Sequence, residues 1–197
     1  MTSSEHTALV FLSCGGTIEK TVLPQQGQLG FDHSRVSEWA ATCRIAQTWR
    51  SETLMLIDSL EMTDADRNTV AAHVARIQES QVVILHGTDT MVQTAAVVAK
   101  HRQPHQTVVF TGAMIPVSQS NSDGLFNIGM ATAAVQLLEP GVYIAMSGQV
   151  FPADAVRKNR EKGVFEAVAT QAEEPSQHQN DNGTLRITKR KWTGSFR

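Results

Sequence analysis

The 197 residues are 41% hydrophobic, enough to fill the core of one domain. A formal charge of −2 gives no electrostatic motive for nucleic acid or an anionic membrane as partner, and two cysteines are too few for a disulfide framework. The apolar run at 8–12 is too short for a signal peptide or a membrane span and has Glu5 before it, so a cytoplasmic setting is the default.

Residues 8–13 read as a buried strand that ends at Cys14-Gly15-Gly16-Thr17. Pro24, Gly27 and Gly30 among glutamines make 19–33 a loop or loose hairpin over that strand end. Val36, Trp39, Ala40 and Cys43 recur at helical spacing, which predicts an amphipathic helix over 34–46. Residues 53–57 form the next strand and close on Asp58-Ser59. Thr63 and Asp66 suit a helix start, with Val70, Val74 and Ile77 on the inner face.

Residues 82–85 are an unbroken apolar run, the pattern of a strand covered on both faces. His86-Gly87-Thr88-Asp89-Thr90 follows, with no apolar side chain among them. Thr90 and Gln93 have capping-box spacing, so a helix should begin near Met91 and carry Val92, Ala95, Ala96 and Ala99 on one face. It runs towards His101 and stops before Pro104.

A strand at 107–110 ends in the polar turn 111–114. After a Ser- and Asn-rich loop, Ser122 or Asp123 caps a helix through about 138, and Pro140-Gly141 turns the chain into a strand at 142–146. Five strands alternating with helices specify an α/β fold in a single domain. It is a doubly wound, Rossmann-like parallel sheet with helices on both faces and right-handed crossovers. The charged stretch 153–163 reads as a flap or short helix. Residues 171–183 have linker composition, so the domain is set at 1–170 and a polar linker and tail at 171–197.

Each predicted strand ends in hydrogen-bonding or nucleophilic groups: Cys14 and Thr17, Asp58 and Ser59, Thr88 and Asp89, residues 111–113, and Ser147. In a parallel sheet the carboxyl ends share one edge, so these groups should share one crevice. Singly, each is also an ordinary cap or turn former. Together they suggest nucleophilic chemistry. A Thr hydroxyl attacks only when a base takes its proton, and a desolvated Lys can be that base. Lys158 is the candidate, placed where a flap could fold back over the same edge; the alternative is a solvated charge run. Backbone N–H groups around Gly15, Gly16 and Thr88 could form an oxyanion hole.

No metal and no cofactor is expected. His101 and His105 have metal-ligand spacing, but Pro104 keeps them off one helix face. Gly15-Gly16 lacks a phosphate-loop pattern, and the basic patch at 189–191 is too short to argue for nucleic acid.

In this order the motifs resemble the bacterial-type asparaginase (asparaginase/glutaminase) family, in the form of a short single-domain member with the N-terminal domain only. His86-Gly87-Thr88-Asp89-Thr90 matches the second signature of that family unchanged. Residues 14–18, Cys-Gly-Gly-Thr-Ile, match the first, Thr-Gly-Gly-Thr-Ile, except at the first position. Asp58-Ser59 with Met62 is similar to its substrate-carboxylate segment, and Gly112-Ala113-Met114 with Asp123-Gly124 and Phe126-Asn127 to the next block. The resemblance covers about residues 8–166.

It implies an amidohydrolase that releases ammonia from L-asparagine or a related ω-amide through a covalent acyl-enzyme. Carried over by position, Cys14 is the first nucleophile candidate, Thr88 the second hydroxyl and Lys158 the catalytic lysine. Asp89 orients Lys158 and binds the substrate amino group; Ser59 and the Asp89 backbone hold the α-carboxylate. The Ala113 carbonyl accepts from the amide, and Thr17 supports the site. Cys14 is either an attacking thiol or a small buried plug, in which case Thr88 attacks. Leu60 stands where many relatives have a substrate-contacting Gln, and 19–31 lacks their Tyr. Relatives complete their sites across subunits, so a homo-oligomer, at least a homodimer, is expected, with a small-molecule amide as ligand and neither nucleic acid nor membrane as partner. The rival class is a non-catalytic binding module for an acidic amino acid.

Overall fold

The computed structural model describes residues 9–168. Ala8, the stretch assigned to linker and tail at 171–197, and the basic patch at 189–191 lie outside the described residues.

In chain order, β1 (Leu9–Gly15) leads through a single 3-10 turn (Thr17–Glu19) to the hairpin β2 (Thr21–Leu23) and β3 (Gln28–Gly30). Then come α1 (Val36–Thr42), β4 (Trp49–Ile57), α2 (Asp64–Val74), β5 (Gln81–Leu85), α3 (Met91–His101) and β6 (Thr107–Thr111). The described chain closes with α4 (Gly124–Leu137), β7 (Gly141–Met146), β8 (Gln149–Pro152), β9 (Val156–Asn159) and β10 (Val164–Ala167). The main sheet has the order β4-β1-β5-β6-β7-β8, parallel as far as β7, with β8 antiparallel at its edge. The winding reverses between β1 and β5, and a ligand crevice is expected at the carboxyl ends of these two strands.

Strand alternation divides the core in two. Val10, Leu12, Val82 and Ile84 pack with Val70 and Val74 of α2 and with Ala95 and Val98 of α3. Leu9, Phe11, Val83 and Leu85 face the other way, onto Trp39 of α1 and Ile128 and Val135 of α4. This is the expected doubly wound α/β architecture with helices on both faces.

Several details differ from the sequence reading. β4 starts at Trp49 rather than at 53, because the extra residues include Arg50 and Glu52, whose charges mask an edge strand. Arg50 pairs with Glu79 there at 2.6 Å. Thr63 and Asp66 form the capping box that starts α2, and Ile77, beyond its end, is still buried. Thr90 precedes α3 but makes no side-chain cap; its hydroxyl donates to the Ser59 carbonyl at 2.7 Å. The inner face of α3 is Met91, Thr94, Ala95 and Val98, while Ala96 and Ala99 are exposed. The stripe is rotated because Thr94 is used by a buried histidine described below. After β7, Ser147 (φ 52) and Gly148 (φ 81) make a two-residue hairpin turn with both residues left-handed, which adds β8 to the sheet. The charged stretch 153–163 folds into the β9–β10 hairpin, not a helix.

Candidate active site

Three strand ends meet at the switch point with no space between their backbones. Gly16 has φ +82, and a Cβ built on it would lie 2.3 Å from the Gly87 nitrogen. A Cβ on Gly87 would in turn lie 2.5 Å from Ser59 Oγ. The ends of β1 and β5 and the turn after β4 can therefore press together only through glycines. Thr17, Ser59 and Thr88, each adjacent to or part of these contacts, are gathered at one place.

His86 supports the junction from below. Its Nδ1 lies 2.7 Å from the Gly87 carbonyl, which can only accept, so Nδ1 carries the proton. Nε2 then accepts from the Thr94 hydroxyl at 2.9 Å. With the ring neutral in this tautomer, both ring nitrogens are satisfied. Burial pushes its pKa down to about 4, the Gly87 hydrogen bond opposing this only in part. Above pH 6.5 the ring is neutral folded or unfolded; below it the unfolded chain takes up a proton that the native state refuses until about pH 4. Stability should fall by about 3 kcal/mol across that interval. Urea titrations from pH 7 to 4.5 should show the loss, and His86→Asn should show a smaller one; equal pH dependence in both would remove His86 as its cause.

Lys158 reaches the crevice from β9. Its Nζ donates to Thr88 Oγ1 at 2.7 Å and to Asp89 Oδ1 at 2.9 Å, and its side chain is 9% exposed. The hairpin that delivers it is anchored by Val156 and by Phe165, the cross-strand neighbour of Lys158, both packed into the core. Thr88 itself is 5% exposed, with Met114 Sδ at 3.8 Å from its hydroxyl. Thr17 is half-exposed at the start of the 3-10 turn. Ser59 is buried and its Oγ has no partner among the described residues, although Thr90 holds its carbonyl.

Ala113 is buried and follows Gly112, where a built Cβ would lie 3.4 Å from Thr88 Cγ2. The loop before it is held by Asn127, whose Nδ2 donates to the Gly112 carbonyl at 3.0 Å while its Oδ1 accepts from the Ser147 nitrogen at 3.1 Å. Asp123 accepts from the Met114 and Ile115 nitrogens, which is why it gives no cap to α4.

Cys14 does not join this group. β1 continues to Gly15, so Cys14 lies inside the strand and on the same face as Val10 and Leu12. It is 1% exposed, in the core under α2 and α3. Burial, with a smaller contribution from Glu19, pushes the thiol up to about 12. At neutral pH it is a protonated, apolar core group. Of the two readings of Cys14, attacking thiol or small buried plug, its burial among apolar side chains favours the plug.

The family model described as "Asparaginase, N-terminal" matches residues 8–192. The chain belongs to the asparaginase family. An L-asparaginase of Dirofilaria immitis is 34% identical over 125 residues, 60% of this chain and 21% of that protein. An L-asparaginase of Thermococcus kodakarensis is 33% identical over 84 residues, 42% of this chain and 26% of that protein. The solved thermostable L-asparaginase from Thermococcus kodakarensis superposes with a TM-score of 0.72 at 26% identity, covering 81% of this chain and 50% of that one. The chain spans about half the length of that solved relative and a smaller share of the sequence relatives.

In this asparaginase-family chain the two signature motifs are the touching ends of β1 and β5. Two groups at the crevice were not singled out from sequence. Lys20 Nζ pairs with Asp58 at 2.6 Å, a contact between residues 38 apart that no local pattern announces. Arg160 approaches Asp89, with Nε 3.7 Å from Oδ1. Its place directly after β9, two residues from Lys158, is the signal that could have found it. Among the described residues no three His, Cys, Asp or Glu side chains converge as metal ligands, and no helix is long and apolar enough to cross a membrane.

Proposed function

We propose that the chain is an asparaginase-type amidohydrolase that releases ammonia from L-asparagine or a related ω-amide through a covalent acyl-enzyme. One observation carries the reading: a nearly buried lysine amine bridges a threonine hydroxyl and a carboxylate at the carboxyl edge of the sheet. Thr88, Asp89 and Lys158 are the proton-handling unit. A threonine oxygen bonds to the amide carbon, and its proton passes to the lysine once that amine is deprotonated. The oxyanion is met by backbone N–H groups of the glycine turns. The carbon–nitrogen bond then breaks, the nitrogen leaves as ammonia with the transferred proton, and water hydrolyses the ester.

Thr17 is the favoured attacking group, because a nucleophile must reach substrate and Thr17 is the more exposed hydroxyl. The second reading gives the attack to Thr88, and the 2.7 Å contact with Lys158 favours it. Ser59, with its unpartnered hydroxyl, and the Asp89 backbone would hold the α-carboxylate. The Asp89 carboxylate would take the amino group, and the Ala113 carbonyl the amide.

The test is ammonia release by purified protein from asparagine and glutamine separately, with thermal shifts in aspartate alongside. No ammonia from either, with aspartate still raising the Tm, would leave a binding module. The reading includes a homo-oligomer in the cytoplasm: Leu60 and Met114 leave apolar surface beside the crevice, and Phe126 and Leu137 are exposed on α4, a helix without a charge. A monomeric mass of the active protein by light scattering would refute the assembly.

A further inference from the structure

The charges around Asp89 bear on which substrates the crevice prefers. Among the described residues its two carboxylates are already paired, Asp58 with Lys20 at 2.6 Å and Asp89 with Lys158 at 2.9 Å. Asp89 carries a second cation as well. Arg160 Nε stands 3.7 Å from the same Oδ1 that Lys158 holds, and Arg160 Nη2 donates to the Asp89 carbonyl at 3.4 Å. Arg157, one residue before Lys158, is neutralised by Glu166 at 2.6 Å. With Lys158 protonated, one cation is therefore in excess beside Asp89.

The excess faces open space. A concavity of about 450 Å³ is lined by Asp89, Gln93, Ala96, Arg157, Lys158 and Arg160. On the Ser59 side the buried hydroxyl is a hydrogen-bond donor without a partner among the described residues, and the next side chain, Leu60, is apolar and exposed. The site offers donors and positive charge generously, and acceptors sparingly. A substrate ammonium at Asp89 would have to sit beside Arg160, and beside Lys158 whenever that amine is protonated, whereas a carboxylate nearby would be attracted.

We propose that Arg160 makes this site prefer ω-amides of dicarboxylic acids that lack a free α-ammonium group, of which succinamate is the simplest, over asparagine. The identity of the amide rests on the amidohydrolase reading; the preference between ligands does not. Arg160 is a selectivity residue here, acting through charge at Asp89 and taking no part in bond breaking. Its side chain is 61% exposed, so solvent screening leaves an effect of about tenfold rather than the much larger factor of a buried pair.

Dissociation constants for succinate and L-aspartate, which need no turnover, test this in wild type, Arg160→Gln and Arg160→Lys by calorimetry. Wild type should bind succinate about tenfold more tightly than aspartate. Arg160→Gln should erase most of that ratio, chiefly by tightening aspartate, and Arg160→Lys should keep it. The ratio of kcat/KM for succinamate to that for asparagine should move in parallel. Tighter aspartate in wild type, a ratio unchanged in Arg160→Gln, or no binding of either diacid would overturn the proposal. No ammonia from either amide, with the binding ratio shifting as described, would overturn the amidohydrolase reading and leave the assignment of Arg160 standing.

Discussion

Lys158→Met is expected to lower ammonia release by about a thousandfold or more, because removing one member of a unit disables the whole. The Tm should stay within a few degrees of wild type. Nζ makes two contacts, 2.7 Å to Thr88 Oγ1 and 2.9 Å to Asp89 Oδ1, from a side chain that is 9% exposed. Methionine keeps the length and apolar stem of lysine and removes only the amine. Truncating one partner of a desolvated pair usually costs stability by orphaning the other charge. Here Asp89 is half-open to solvent and keeps Arg160 beside it, so the orphaning is mild. The hairpin stays docked through Val156 and Phe165. A coupled ammonia assay with scanning calorimetry measures both quantities. Retention of a third of wild-type turnover would reduce Lys158 to an ion-pair partner.

Thr17→Val should abolish turnover, whereas Cys14→Ala should leave it nearly intact. Valine preserves the shape of threonine and deletes the hydroxyl, so loss of activity with an unchanged fold reports chemistry rather than packing. The effect should reach about three orders of magnitude if Thr17 carries the acyl group. Thr88→Val should also fall steeply, since Thr88 shares its hydrogen bond with Lys158. Trapping the acyl adduct and mapping its peptide then tells the two hydroxyls apart. Cys14→Ala removes one buried sulfur and should cost about 1 kcal/mol, a few degrees in Tm. A native-state alkylating agent should spare Cys14, whose thiol is buried and held near 12, and react first at the half-exposed Cys43. An inactive but folded Cys14→Ala would return the attack to the thiol.

Much of this molecule was legible in the amino-acid order. The continuous apolar run at 82–85 announced a strand covered on both faces, and its four residues are fully buried. Alternation of such runs with helical spacing was enough for the doubly wound sheet, and the two Gly-Thr motifs at strand ends were enough for the family. These features are local or periodic, so a single chain displays them.

What tertiary structure decided is of a different kind. Whether Cys14 points into the crevice or the core depends on whether β1 ends before it or after it, since one residue of strand reverses the side chain. That ending is set by pairing with β4, a partner dozens of residues away, and by Gly15 and Gly16, whose φ values near +80° bend the chain only after Cys14 has entered the sheet. Likewise Thr94 became part of the buried face of α3 because His86 needed its hydroxyl. Asp89 acquired two cations because a hairpin some 70 residues further along folds back over it. Side-chain type and period are written in the sequence; which neighbour a side chain meets is settled by strand pairing and by hairpin docking, and these depend on contacts between residues far apart in the chain.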